Sequence, residues 1–142
     1  LDEPTTGLDP ETRKSLWKEL ERLQKEENLT LFLTTHYMEE AKDADDVIIL
    51  VKGEIAAEGS AEELRKKYTK TYITLYGIHK EQVNLPYLTE EYPYGIKVTL
   101  GNSKEAYRLL EENPGWRNRF EVREGGMDEV FLSVLKEKEK RI

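Results

Sequence analysis

The chain has 142 residues, 22 Lys and Arg against 29 Asp and Glu, a net charge of -7 and no cysteine. That length allows one domain or two small ones, and the acidic balance argues against a nucleic-acid binder, which needs a basic stripe to displace counterions. The missing thiols exclude disulfides and thiolate metal sites, and the longest apolar run, residues 47–51, falls far short of the roughly 18 residues of a membrane span.

In chain order, Asp9-Pro10 reads as an N-cap followed by proline at the first helical position. Leu16, Trp17, Leu20 and Leu23 then recur at helical spacing, which predicts a helix over residues 10–26. Residues 29–35, LTLFLTT, form a continuous, mostly apolar run, the pattern of a strand buried on both faces. A short acidic helix is expected over 38–44, then a strand over 47–51, a Lys52-Gly53 turn and a returning strand over 54–57. Ser60 with Glu63 makes a capping box for a helix reaching about Lys67.

The character changes after Tyr68, and a domain boundary is expected there. Residues 71–76 alternate and are β-branched or aromatic, which predicts a strand. Residues 81–93 read as a short helix and loop, and 96–100 as a strand. Ser103 is expected to cap a helix to about Glu112, which Asn113-Pro114-Gly115 ends. A short strand over 120–123 and a helix with Met127, Val130, Phe131, Val134 and Leu135 on one face complete a small α+β layer. That stripe reads as core, and Trp116 as a core or surface aromatic.

Two places carry candidate chemistry. Asp2 and Glu3 are adjacent carboxylates stopped by a strand-breaking Pro4. An Asp at the end of a buried strand can hold magnesium, and its neighbour, pointed elsewhere by strand alternation, can polarise the water that attacks a phosphate. The competing reading is a charged turn with a helix cap. His36 follows the apolar run and precedes a helix, where an imidazole N–H can donate to a phosphate oxygen; standing alone, it would be a surface or capping residue. His79 has no motif around it and reads as surface.

The opening string LDEPTTGLDP resembles, nearly letter for letter, the end of the Walker B motif and the D-loop of ABC ATPases. TTHYMEEA, residues 34–41, resembles their switch or H-loop, and DDVIILVKGEIAAEGSAEEL, residues 45–64, resembles the hairpin and capped helix that follow it in the family. GMDEVFLSVL, residues 126–135, resembles the closing helix of an accessory domain on ABC ATPases of the drug-resistance and sodium-export class. The resemblance implies an α/β remnant of a P-loop NTPase domain over residues 1–68 and an α+β accessory or regulatory domain over 69–142. It implies Asp2 as the magnesium-associated Asp, Glu3 as the catalytic base, His36 as the γ-phosphate sensor, and Leu8 and Asp9 as contacts to a partner across a dimer.

By the same resemblance the parent is the energising subunit of an ABC transporter. It uses ATP and magnesium, pairs with a second ATP-binding subunit, and sits at the cytoplasmic face of the cell membrane through a transmembrane permease. No G-x-x-x-x-G-K-S/T loop and no Leu-Ser-Gly-Gly-Gln signature occur in the sequence. The chain also lacks an initiator Met and opens inside a motif, so it is expected to be a C-terminal fragment. By itself it is expected to bind no cofactor, to hydrolyse no ATP, and either to self-associate through exposed strand edges of its first unit or to be disordered there, while the second unit folds normally. The alternative is a regulatory or dimerisation module attached to an ABC ATPase, with the stretch after Tyr68 as its working part.

Overall fold

A computed structural model describes residues 1–141. The chain divides into two compact units, Leu1–Glu40 and Ala41–Ile142.

The first unit is built on helix α1, Pro10–Glu27. Asp9 caps it as expected: Oδ1 accepts from the backbone N–H groups of Glu11 (3.1 Å) and Thr12 (3.0 Å), and Oδ2 from the Thr12 hydroxyl (2.7 Å). These bonds hold the Asp9 carboxyl below its ordinary range, the Thr12 hydroxyl contributing most. The helix stops at Asn28, whose left-handed φ of 50° is the usual way to end one without glycine. Leu16, Trp17, Leu20 and Leu23 are half-buried, and no residue of α1 is fully buried.

Residues 29–35 depart from the expected buried strand. Leu29 and Phe32 are 53% and 73% exposed, and only one parallel bridge, Asp2 to Thr34, is formed. The residues running beside this segment are Leu1 to Glu3, joined by Thr34 N–H to the Leu1 carbonyl (2.9 Å) and Glu3 N–H to the Thr34 carbonyl (3.0 Å). A strand buried on both faces needs neighbours along its whole length, and a three-residue partner cannot supply them. The acidic helix expected over 38–44 is a single 3-10 turn, Met38–Ala41.

The second unit opens with the expected hairpin, β1 (Val47–Val51) and β2 (Glu54–Gly59), antiparallel with a register shift between Ile49 and Leu50. Ile49, Val51 and Ala57 are buried, whereas Ile48, Leu50 and Ile55 on the opposite face are exposed. Helix α2, Ala61–Tyr68, carries the full capping box: the Glu63 N–H donates to Ser60 Oγ at 3.1 Å and the Ser60 N–H to Glu63 Oε2 at 3.0 Å. Ser60→Ala is expected to cost about 1 kcal/mol, read as a lower urea midpoint at unchanged slope; an unchanged midpoint would deny the box any role in stability.

The rest of the unit is strand β3 (Thr71–Tyr76), β4 (Thr89–Tyr92), β5 (Gly95–Leu100), helix α3 (Ser103–Glu112), β6 (Phe120–Glu124) and helix α4 (Met127–Lys140). The strands form one antiparallel sheet in the order β4-β5-β3-β6. Alternation puts Ile73, Leu75, Ile96, Val98 and Leu100 on one face, where they make a core with Ile78, Ala106, Leu109 and Leu110. The half-buried Trp116 packs on this core. Asn102, not Ser103, caps α3, its side chain accepting from the Glu105 N–H at 3.1 Å.

Strand β4 replaces part of the loop expected over 81–93; a 3-10 turn, Lys80–Gln82, precedes it. Met127, Val130 and Val134 of α4 are buried, as the stripe required, with Phe131 and Leu135 at its margins. Helix α4 packs on α2 and β2, and Lys138 Nζ meets Glu54 Oε2 at 2.6 Å. The hairpin and α2 thus pack with α4 inside the second unit.

Candidate functional site

The expected site residues fall in the first unit, and two of them, Glu3 and His36, come into contact. The parallel bridge sets Asp2 beside Thr34, and the Thr34 hydroxyl donates to Asp2 Oδ1. The Glu3 N–H donates to Thr34 Oγ1 at 3.0 Å, so one threonine touches both acidic residues. Glu3 has a φ of 44°, left-handed backbone that a non-glycine residue adopts at a cost of about 1 kcal/mol or more. The two carboxylates take different partners, Asp2 the Thr34 hydroxyl and Glu3 the His36 ring. Glu3 Oε1 lies 3.0 Å from Nδ1 of His36, with both side chains about half exposed (48% and 56%).

Leu8 and Asp9 lie further along the same loop. Leu8 is half-buried and its N–H donates to the Thr5 carbonyl at 3.2 Å, closing a turn at Gly7, whose φ is 79°. Asp9 spends both carboxylate oxygens on capping α1. His79 is exposed, with Nδ1 at 3.1 Å from Glu91 Oε1, which fits its reading as a surface residue.

Asp2 offers magnesium a hard oxygen donor in an exposed position. Among the described residues there is no group of three or more His, Asp or Glu able to hold a metal. A lone carboxylate suits magnesium, which is bound through one or two carboxylates and keeps water and substrate phosphate oxygens as its other ligands.

Sequence reasoning missed the residue that holds this arrangement together. The Glu40 side chain is only 5% exposed. It accepts from Thr5 Oγ1 (2.5 Å), Thr35 Oγ1 (2.5 Å) and Trp17 Nε1 (3.3 Å), and the Arg13 Nε lies 3.9 Å away. Burial pushes the Glu40 carboxyl up, but the two hydroxyls, the indole and the guanidinium together hold it below its ordinary value of 4.5. Its contribution to stability is therefore complete at neutral pH and is lost as pH falls through that depressed value. The Arg13 guanidinium also lies over the Tyr37 ring, 4.1 Å from its centroid. In the sequence Glu40 looks like one more solvated acid of an acidic turn; its partners lie 5, 23 and 35 positions away, outside any local pattern.

No family model matches the chain. Relatives do. Over 142 residues, 97% of this chain, it is 35% identical to ABC transporter A family member 12 of Arabidopsis thaliana. Over 113 residues, 79% of the chain, it is 37% identical to the energy-coupling factor transporter ATP-binding protein EcfA2 of Ligilactobacillus salivarius (strain UCC118). The EcfA2 protein of Enterococcus faecalis (strain ATCC 700802 / V583) is 49% identical over 65 residues, 45% of the chain. The chain belongs to the ABC-transporter ATP-binding family. It spans 14%, 36% and 22% of the lengths of these three ABC relatives, respectively. The fold agrees at the coarse level: a small α/β chain whose named sheets are antiparallel and whose parallel pairing, among the described residues, is the single bridge joining Asp2 to Thr34. No helix among the described residues of this ABC-family chain is long and apolar enough to cross a membrane.

Proposed function

We propose that the chain is the C-terminal portion of the energising subunit of an ABC transporter, in which Glu3 is the base of ATP hydrolysis and His36 its γ-phosphate sensor. The observation that carries this reading is the 3.0 Å contact between Glu3 Oε1 and His36 Nδ1, next to the Asp2–Thr34 bridge. A carboxylate that takes a proton from water and an imidazole that reports on the terminal phosphate must both lie beside that phosphate. Asp2 would hold magnesium, which neutralises charge developing on the phosphate oxygens. Glu3 accepts the proton of the attacking water, and His36, in contact with Glu3 through Nδ1, lies beside it at the γ-phosphate.

Leu8 and Asp9 would face a second copy of the subunit across a homodimer, and a transmembrane permease would hold the pair at the cytoplasmic side of the membrane. The phosphate-binding loop is not among the 142 residues, so in this reading ATP takes most of its contacts from the rest of the subunit and the chain alone is inactive. Residues 1–68 would complete the ATPase domain. Residues 69–142 would form an accessory α+β domain, a reading supported by the core that β3, β5 and α3 build around Ile73, Leu75 and Val98.

The test is His36→Ala in the full-length subunit. We expect kcat to fall by about 100-fold with ATP affinity kept within a few fold. A variant whose turnover stays within about twofold of wild type would overturn the assignment.

A further inference from the structure

Glu40, its side chain 5% exposed, is the shielded acid of the first unit that the proposed chemistry does not use. Thr5 lies two residues beyond Glu3, and Thr35 immediately precedes His36. Glu40 takes a hydrogen bond from each, Oε1 from Thr5 and Oε2 from Thr35, both at 2.5 Å. The Thr35 hydroxyl oxygen in turn accepts the Tyr37 N–H at 3.0 Å, so the backbone is fixed on both sides of His36. Trp17 adds α1, the helix that Asp9 caps. The loop from Glu3 to Asp9 therefore cannot shift against His36 without breaking bonds to one shielded carboxylate. Thr5, its main anchor on that loop, is fully buried. Charge-assisted hydrogen bonds out of water are short, directional and costly to lose.

We propose that Glu40 is a positioning residue which couples the Leu8–Asp9 loop to His36. Displacement of the loop by a partner moves Thr5, Thr5 moves Glu40, and Glu40, through Thr35, sets the distance from His36 to Glu3. This inference rests on the ATPase reading of Glu3 and His36 and extends it: the loop that would meet the partner and the phosphate sensor act as one device.

The experiment is a double-mutant cycle in the full-length subunit with Glu40→Gln, His36→Ala and their combination. Glutamine keeps the volume and one acceptor oxygen, but its amide nitrogen cannot accept from Thr35. Glu40→Gln is expected to lower kcat by about 10-fold, as a small misplacement of a reacting group does, with ATP affinity within about twofold. In the His36→Ala background the same change is expected to cost less than about twofold, because the residue it positions is gone. A role in general stability would give the same factor in both backgrounds, and that result overturns the proposal. Thr5→Val, which removes a single bond at constant volume, repeats the cycle should Glu40→Gln unfold on thermal melting. It is expected to give a drop of about threefold that again vanishes without His36; a drop that persists overturns the proposal. Glu3→Gln assayed alongside separates the two failures. An inactive Glu3→Gln beside an unimpaired Glu40→Gln overturns the role of Glu40 alone, whereas an active Glu3→Gln overturns the ATPase reading and this proposal with it.

Discussion

Glu3→Gln in the full-length subunit is expected to lower ATP turnover by at least about 100-fold, the lower end of what a positioned general base contributes. Glutamine has the shape of glutamate and can still meet Nδ1 of His36, which lies 3.0 Å from Glu3 Oε1. It tolerates the same φ of 44° no worse than glutamate does. What it cannot do is take a proton from water. It also removes a negative charge from the place where the terminal phosphate would lie, so ATP binding should be retained or strengthened. The pair of measurements is a single-turnover hydrolysis rate and an equilibrium nucleotide titration. Turnover within about twofold of wild type would mean that the proton goes elsewhere, and the role of Glu3 would have to be abandoned.

The second large effect belongs to stability. Gly95 opens β5, pairs with Tyr76 of β3 and Tyr92 of β4, and has a φ of 148°. A Cβ added there would sit 2.0 Å from the Leu75 carbonyl oxygen and 3.0 Å from its carbon. Those are backbone atoms of the central strand, held by pairing on both sides, and they cannot move aside as a side-chain tip would. Gly95→Ala is therefore expected to destabilise the chain by about 3 kcal/mol or more, a value reserved for clashes in the core. Gly53→Ala is the control. Its φ of 80° also lies in the region that favours glycine, but nothing lies within 4 Å of the added carbon. It should cost only the conformational penalty of about 1 kcal/mol. Urea unfolding of the two variants separates steric overlap from backbone preference, and equal losses would show that the close approach at Leu75 is relaxed at no cost.

Much of this molecule was legible because its signals are local. Asp9-Pro10 and the Ser60–Glu63 box each fix a helix start through atoms three residues apart at most. The alternation of Thr71–Tyr76 and the stripe of Met127, Val130 and Val134 name the faces that the core buries. Where pairing decides the outcome, the pattern failed. Strand β4 reads TEEY, with two exposed glutamates and no alternating apolar side chains, and becomes a strand only because β5 offers its edge. Residues 29–35 carry the composition of a central strand but find a strand-like partner only in Leu1 to Glu3. At the site, motif resemblance pointed to Asp2, Glu3 and His36, and the structure brings Glu3 and His36 into contact. The hydroxyl of Thr34 and the carboxylate of Glu40 were not legible, because residues distant in sequence define their partners.

The left-handed backbone at Glu3 also bears on how this position can drift over generations. A single nucleotide change in a glutamate codon leads to lysine, glutamine, alanine, valine, glycine or aspartate. Valine is shut out by its branched side chain at a φ of 44°. Glycine relaxes the main chain but discards the acid, and lysine reverses its sign. Aspartate alone preserves an acid that tolerates this conformation, and it falls one carbon short of the imidazole, so in this geometry each neighbouring codon sacrifices either the charge or the reach.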